Sequence, residues 1–343
     1  MRMKRGIAFA GNILVDNVKT ISSWPERGML VPIVDMHQAV GGSVCNTAVD
    51  LKTLDASMPV SALGKVGADA AGDFAVRILS SHGIDCGRIM RAEGVPTSFT
   101  DVMTVAGSGE RTFFNMRGAD SKLTPEDVDC TSLDCAYFHL GYLLLLDSLD
   151  APDEEFGTKA ARLLAQAQMA GLKTSLDLVS EQSDRFAGIV RPALRFCDNL
   201  IVNEIEGSRA TGLPCRSETG KTSVKHLTLI AEKLLAFGVR ERVVLHCPEL
   251  SVCLSADGRL TAVPSLELPP GWIKGAVGAG DAFCAGMLYS IMSELDDEQG
   301  LRLASCAAAA NLSVADSVSG ALPLEETWAL DRRFSRKDIS AYA

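Results

Sequence analysis

From Gly6 to Ser255 the chain alternates short apolar runs with stretches of helical periodicity, and this alternation limits the fold more than any other feature. "GIAFAGNILVD" reads as a buried strand with Asp16 at its end. "SVCNTAVDLKTLDA" (43–56) spaces Val44, Ala48, Leu51 and Leu54 along one helical face. "PVSALGKVG" is a strand entering a glycine turn, and "AGDFAVRILSSHG" a helix closed by Gly83. Beyond strand "CAYFHLGY" the pattern predicts a helix from Pro152 to about Ala170, strand "KTSLDLV", a helix over 184–196 and strand "NLIVN". A helix starting near Glu204, another over 224–237, and strands "RVVLHC" and "SVCLSA" follow. Helices from Asp281 to Ser293 and from Glu298 to about Val314 close the series. Regular βα alternation gives a mainly parallel sheet covered by helices on both faces, the α/β class.

One segment breaks the rhythm. "TSFTDVMTVAGSGERTFFNMRGA" (97–119) alternates apolar and polar residues, turns at "AGSGE" and alternates again, which is a β-hairpin. With strand-like "MLVPIVDMHQAV" (29–40) it predicts a small second sheet over one end, a lid. No repeat, low-complexity tract or long linker divides the chain. It reads as one domain over 1–343, with lid segments at about 12–40 and 97–118.

A net charge of −10 argues against a nucleic-acid partner but leaves room for a locally positive phosphate site. The ten cysteines are scattered without a CxxC, and the five histidines form no ligand-like cluster, so a zinc site is not expected. Scattered thiols fit a cytoplasmic protein. The basic start "MRMKR" precedes an apolar stretch broken by Asn12 and Asp16, which reads as a strand rather than a signal peptide. No run approaches the roughly 18 apolar residues of a membrane span.

Two nucleotide motifs are decoys. "SETGKTS" (217–223) contains the GKT of a P-loop, but Cys215 stands where its first glycine belongs and no strand leads into it. Gly275, Gly278 and Gly280 have the reverse of GxGxxG spacing and lie late in the chain, which removes a nicotinamide-dependent oxidoreductase. The late loop has chemistry of its own. Gly278, Ala279 and Gly280 precede a helix whose first N–H groups lack internal partners and carry the positive dipole end, an anion hole without side-chain charge. Asp281 at that helix start fits either a plain N-cap or a general base.

Three further stretches are open in the same way. "GGSVCNTA" (41–48) offers Gly41 and Gly42 for close backbone approach and Asn46 as donor and acceptor, or an ordinary turn capped by Ser43. Asp16 can bind sugar hydroxyls or merely turn the chain. In "NEIE" (203–206), Asn203 and Glu206 can hold a hydrated Mg²⁺, or form an N-cap with its capping-box Glu, the better reading in isolation.

The order of these motifs is more specific than any one of them. "GGSVCNTA", "ALGKVGADAAGDF" (62–74) with Gly64, Gly67, Asp69 and Gly72, and "GAVGAGDAFCAGML" resemble the signatures of the ribokinase-like (PfkB) carbohydrate kinases over essentially the whole length. The resemblance implies a ribokinase-like three-layer α/β/α sandwich with a β lid that often serves in dimers, so a homodimer through the lid. It implies ATP-dependent, Mg²⁺-supported phosphorylation of a hydroxyl on a small sugar or related compound. Asp281 would match the base, and Gly278, Ala279 and Gly280 the anion hole. Asp16, Gly41, Gly42 and Asn46 would match substrate positions, and Arg117 the lid-side arginine of some fructokinase-like members. Asn203 and Glu206 would match the pair that supports Mg²⁺ and phosphate, and Asn311 a position lining the adenine pocket.

Three departures from the family pattern stand out. Gly275 replaces the usual acidic residue, which puts activation by a monovalent cation such as K⁺ in doubt. "LHCPELS" has Pro248 and no glycine, so the nucleotide's ribose and phosphate edge can differ. "DLVSE" keeps Asp177 but loses the Asn and Arg of the usual DxNxR-like segment, which weakens the case for an acidic sugar. The rival readings are a nucleoside kinase of the same fold and a ligand-binding protein on a degenerate kinase scaffold.

Overall fold

A computed structural model describes residues 6–181 and 183–342. The basic residues Arg2, Lys4 and Arg5 lie outside this range. The strands are β1 (Ile7–Gly11), β2 (Leu14–Ile21), β3 (Ile33–Gly41), β4 (Val60–Gly67), β5 (Asp85–Ala92), β6 (Ser98–Val105), β7 (Arg111–Met116) and β8 (Tyr137–Leu143). A short ribbon, β9 (Pro152–Asp153) and β10 (Gly157–Thr158), is followed by β11 (Lys173–Leu178), β12 (Asn199–Asn203), β13 (Arg242–His246), β14 (Leu250–Ser255) and β15 (Leu260–Pro264). The helices are α1 (Ser43–Leu54), α2 (Ala70–Ser81), α3 (Asp147–Asp150), α4 (Lys159–Met169) and α5 (Phe186–Leu194), then α6 (Glu204–Thr211), α7 (Val224–Ala236), α8 (Ala279–Met292), α9 (Asp297–Asn311) and α10 (Leu324–Arg333).

A nine-stranded sheet runs in the order β15-β14-β13-β12-β11-β8-β1-β4-β5. Its strands are parallel except at the β13–β14 and β14–β15 pairings. From β1 the chain winds one way through β4 and β5, then returns to β8 and winds the other way. The β1/β8 boundary is therefore the switch point, where the carboxyl ends of the strands leave a crevice. Two apolar clusters cover the two faces. One packs α4, α5 and α7 through residues such as Leu163, Val190 and Leu227; the other packs α1, α2 and α8 through Leu51, Leu79 and Phe283. The three-layer arrangement follows from strands buried on both faces, as in β1, whose residues are all buried.

The lid is a four-stranded sheet, β3-β2-β6-β7, in which β2 pairs in parallel with β6 and antiparallel with β3. Asp16 is not at the end of the first strand. That strand stops at Gly11, and Asp16 lies inside β2, in the lid. The break is at Asn12, which is buried; its Nδ2 donates to Asp120 and its Oδ1 accepts from the Tyr142 N–H. These are long-range partners that local periodicity does not carry.

Other boundaries moved for local reasons. The helix expected from Pro152 begins at Lys159, because the β9–β10 ribbon precedes it and Thr158 caps it by accepting from the Ala161 N–H. Strands β5 and β15 escaped the periodicity because each is an edge strand with partly exposed residues. The GKT segment is a loop ahead of α7, which Ser223 caps.

Candidate active site

Two helix starts meet at the switch point. Helix α8 begins after Gly278, whose φ of 79° is left-handed. A Cβ there would meet the Ser317 carbonyl oxygen at 2.2 Å, so only glycine fits. Helix α1 begins after Gly42, at φ 88°, where a Cβ would meet the Asn12 carbonyl oxygen at 2.6 Å. Neither start has a side-chain cap. The Ser43 hydroxyl, one of whose two readings is a cap, donates to Asp177 Oδ2 at 3.0 Å.

Asp281 is not the N-cap of α8 either. It is the third residue of the helix, 6 % exposed, and its carboxylate accepts from Asn46 Nδ2 at 3.0 Å and from the Tyr142 hydroxyl at 2.5 Å. Burial pushes the Asp281 carboxyl up to about 7, with the nearby Asp177 adding to the rise and the Tyr142 and Asn46 hydrogen bonds opposing it. Tyr142 is itself pushed far above the ordinary phenol range by burial and then by the charges of Asp281 and Asp177, so it stays protonated as a donor.

Asn203 caps α6 by accepting from the N–H groups of Ile205 and Glu206, while Glu206 Oε2 accepts from the Asn203 N–H at 3.0 Å. Ser180 Oγ donates to Glu206 Oε1. The capping box is therefore formed. Burial also pushes the Glu206 carboxyl up to about 8, with Asp177 and Asp281 adding to it.

A cavity of about 210 Å³ is lined by Tyr142, Asp177, Ser180, Asn203, Glu206 and Asp281. Three carboxylates share this small cavity, and Asp177 adds to the rise of both Asp281 and Glu206, which makes it a place where a hydrated divalent cation fits. Gly280 joins this cavity to a larger one of about 600 Å³, walled by Leu266, Leu268, Ile273, Phe283, Ala308 and Leu312. An apolar slot opening onto a helix N-terminus fits a planar base with a phosphate chain. Asn311 does not line this slot. It is fully buried, and its Nδ2 donates to the Ser317 carbonyl, bracing the loop that packs on Gly278. Sequence position alone does not reveal that inward contact.

A third cavity of about 150 Å³ lies between the lid and the loop ahead of α8, lined by Asp16, His37, Arg111, Phe113, Val277 and Ser317. Burial raises the Asp16 carboxyl to about 6, with the Thr100 hydrogen bond and Arg111 opposing. Gly41 packs behind it, since a Cβ there would meet Asp16 Oδ2 at 2.5 Å. Arg117 is drawn elsewhere. It pairs with Asp147 and Glu181 and donates to the Leu144 carbonyl, outside the residues lining this cavity. Gly275 lies against the Val314 and Ala315 carbonyl oxygens, each 3.1 Å from where a Cβ would be, so a carboxylate side chain would need the loop to move.

Sequence reasoning missed Tyr142 and passed over His139. In "FHLGYLLLL", His139 sits in the middle of β8 and Tyr142 near its carboxyl end, just ahead of the apolar run 143–146, and a polar ring within a core strand is the available signal.

The pfkB family carbohydrate kinase profile matches residues 7–323. The chain belongs to this family. A 5-dehydro-2-deoxygluconokinase of Clostridium perfringens is 25 % identical over 318 residues, covering 90 % of this chain and 87 % of its own length. An ATP-dependent ribose-1-phosphate kinase of Halopiger xanaduensis is 26 % identical, covering 88 % and 89 %. Among solved structures, an Arabidopsis thaliana ribokinase complexed with ribose and ATP matches with a TM-score of 0.76 at 20 % identity, over 96 % of this chain and 99 % of its own. The ribokinase fold and the carbohydrate-kinase class follow from these matches. Among the described residues no helix is long and apolar enough to cross a membrane.

Proposed function

We propose that this pfkB-family kinase transfers the terminal phosphoryl group of ATP to a hydroxyl of a small sugar, with Asp281 as general base. The observation that carries this reading is the Asp281 carboxylate, buried in the first turn of an uncapped helix and oriented by Asn46 and Tyr142. The sugar occupies the cavity beside Asp16, Gly41 and Gly42, and the nucleotide lies in the apolar slot. Asp281 takes the proton of the attacking hydroxyl, and the Gly280 amide donates to oxygens of the group in transfer, joined by the Ala279 amide once it turns from the Ala276 carbonyl, 3.4 Å away. Asn203 and Glu206 would hold Mg²⁺ through water, and the ion's chemistry there is neutralisation of phosphate charge. Closure of the lid excludes water and suppresses ATP hydrolysis.

An ATP-consumption screen over sugars and nucleosides tests this. Turnover on a sugar is expected. Turnover on nucleosides alone would replace the sugar by a nucleoside, and none on either would leave a binding protein.

The lid supports a second proposal, a homodimer. Met29, Leu30, Ile33, Val34, Met36, Phe113 and Phe114 are exposed on this small sheet and its loop, more apolar surface than a solvated lid needs. Sedimentation equilibrium at micromolar concentration should give the dimer mass; a monomer there would remove the proposal. The scattered cysteines support a reducing, cytoplasmic setting.

A further inference from the structure

We infer that the chain binds a zinc-class divalent ion among His139 Nε2, an Asp177 carboxylate oxygen and Cys284 Sγ. The three side chains come from β8, β11 and α8, and their ligand atoms lie within 4.8 Å of one another. All are buried, at 1 %, 6 % and 2 % exposure. A tetrahedral zinc, with bonds of about 2.0–2.3 Å, holds its ligand atoms roughly 3.5 Å apart, so binding needs about 1 Å of closure.

The independent sign of a ligand is His139 Nε2. It is buried and makes no hydrogen bond, although Asp177 Oδ2 is 3.4 Å away. The other ring nitrogen, Nδ1, is bonded to Ser175 Oγ at 2.9 Å. With the proton on Nδ1, donated to Ser175, the Nε2 lone pair points to the ion. Ser43 Oγ donates to Asp177 and fixes the carboxylate. Oriented outer partners of this kind are what metal-binding imidazole and carboxylate groups carry.

A mixed nitrogen, oxygen and sulfur set selects zinc-class ions over Mg²⁺, which takes oxygen. This separates the site from the oxygen ligands proposed at Asn203 and Glu206. Access is through the 210 Å³ cavity, which Asp177 and Cys284 both line and which can supply water as a fourth ligand. The binding step is an exchange: the Cys284 S–H bond breaks, the sulfur lone pair forms the metal bond, and one proton leaves to solvent. Because one proton is released for each ion bound, affinity depends on pH.

The test is a titration of the reduced full chain, without nucleotide, with Co²⁺ and then Zn²⁺. One Co²⁺ per chain with thiolate-to-cobalt charge-transfer absorption is expected, displaced by Zn²⁺ and tightening about tenfold per pH unit as one proton is released. Cys284→Ser should lose that absorption and weaken Zn²⁺ at least tenfold, and His139→Gln should weaken it without losing the sulfur band. Glu206→Gln should leave the band unchanged. Thermal melts establish that each variant is folded, and Cys284→Ala substitutes if the serine is not. Absence of the band in the parent chain, or a band that survives in a folded Cys284 variant, overturns the site.

Discussion

Three helix starts line the crevice, and they are built in two ways. Helices α1 and α8 begin at left-handed glycines, Gly42 and Gly278, with no side chain on their first amides. Helix α6 begins with a complete capping box, Asn203 and Glu206 satisfying each other's backbone. A capped start is finished as structure and has little to offer a ligand with its amides. At the starts without a side-chain cap, Val44 and Ala279 donate to the Asn12 and Ala276 carbonyls, while the neighbouring first-turn amides stay open for a ligand, and at α8 the first turn also carries the buried carboxylate. The contrast separates positions that build the site from positions that can take part in the reaction.

The largest break in this contrast is expected from Asp281→Asn. It keeps size and a hydrogen-bonding group but removes the proposed base, and should lower kcat by at least ~100-fold while nucleotide still binds, within the ~10²–10⁴ range of general-base catalysis. Near-normal turnover would make Asp281 only a positioned polar group. For the parent chain, turnover should fall as pH drops through about 7, where the carboxyl takes up its proton. The stability sign is opposite to that of an ion-paired aspartate. The folded value, about 7, lies above the ordinary aspartate value of 3.8, so the folded state binds the proton more tightly. Asp281 therefore favours folding fully below about 4 and loses that contribution as pH rises through 7. The variant's Tm advantage over the parent should widen from pH 4 to 7 and then level off; a constant gap would contradict the cause assigned to the shift.

The two glycines of the α8 loop should separate structure from chemistry. At Gly278 the positive φ costs an alanine about 1–3 kcal/mol, and the 2.2 Å approach to Ser317 adds a clash. Gly278→Ala should therefore lower Tm and turnover together. At Gly280 a Cβ meets nothing closer than His246 Cε1 at 3.7 Å and projects toward the cavities that Gly280 lines. Gly280→Ala should hold its Tm and still lower kcat/KM for ATP. Equal Tm losses in the two would mean that both glycines are there for the fold.

How much of this the sequence revealed depends on the range of the contact. The βα alternation and "GAGD" were legible because periodicity, glycine spacing and helix-start chemistry are local. Asp281's position in the helix was read two residues too early, because Ala279 and Gly280 look like loop until Gly278 is seen to hold the left-handed turn. The choice left open at Ser43, between a cap and another role, is settled by a partner 134 residues away, Asp177. Tyr142 and Asp281 are 139 residues apart and meet only when the sheet is assembled. Asp16 was misplaced for the same reason, since the Asn12 contacts that end β1 come from residues 120 and 142.

The smallest expected effects are at Asn203, where structure and chemistry overlap. Removing a side-chain N-cap costs about 1 kcal/mol, so Asn203→Ala should show a modest drop in Tm. Asp caps as well as Asn, so Asn203→Asp should keep the Tm. It loses the Nδ2 group that donates to Ser180 and places charge beside Glu206 and Asp177. If Asn203 also serves Mg²⁺ and nucleotide, both variants should raise KM for ATP although only alanine destabilises. If KM follows Tm instead, falling back to the parent value in Asn203→Asp, the capping box is the whole role of this pair. The contrast between capped and uncapped helix starts is then complete, with the chemistry confined to the starts of α1 and α8.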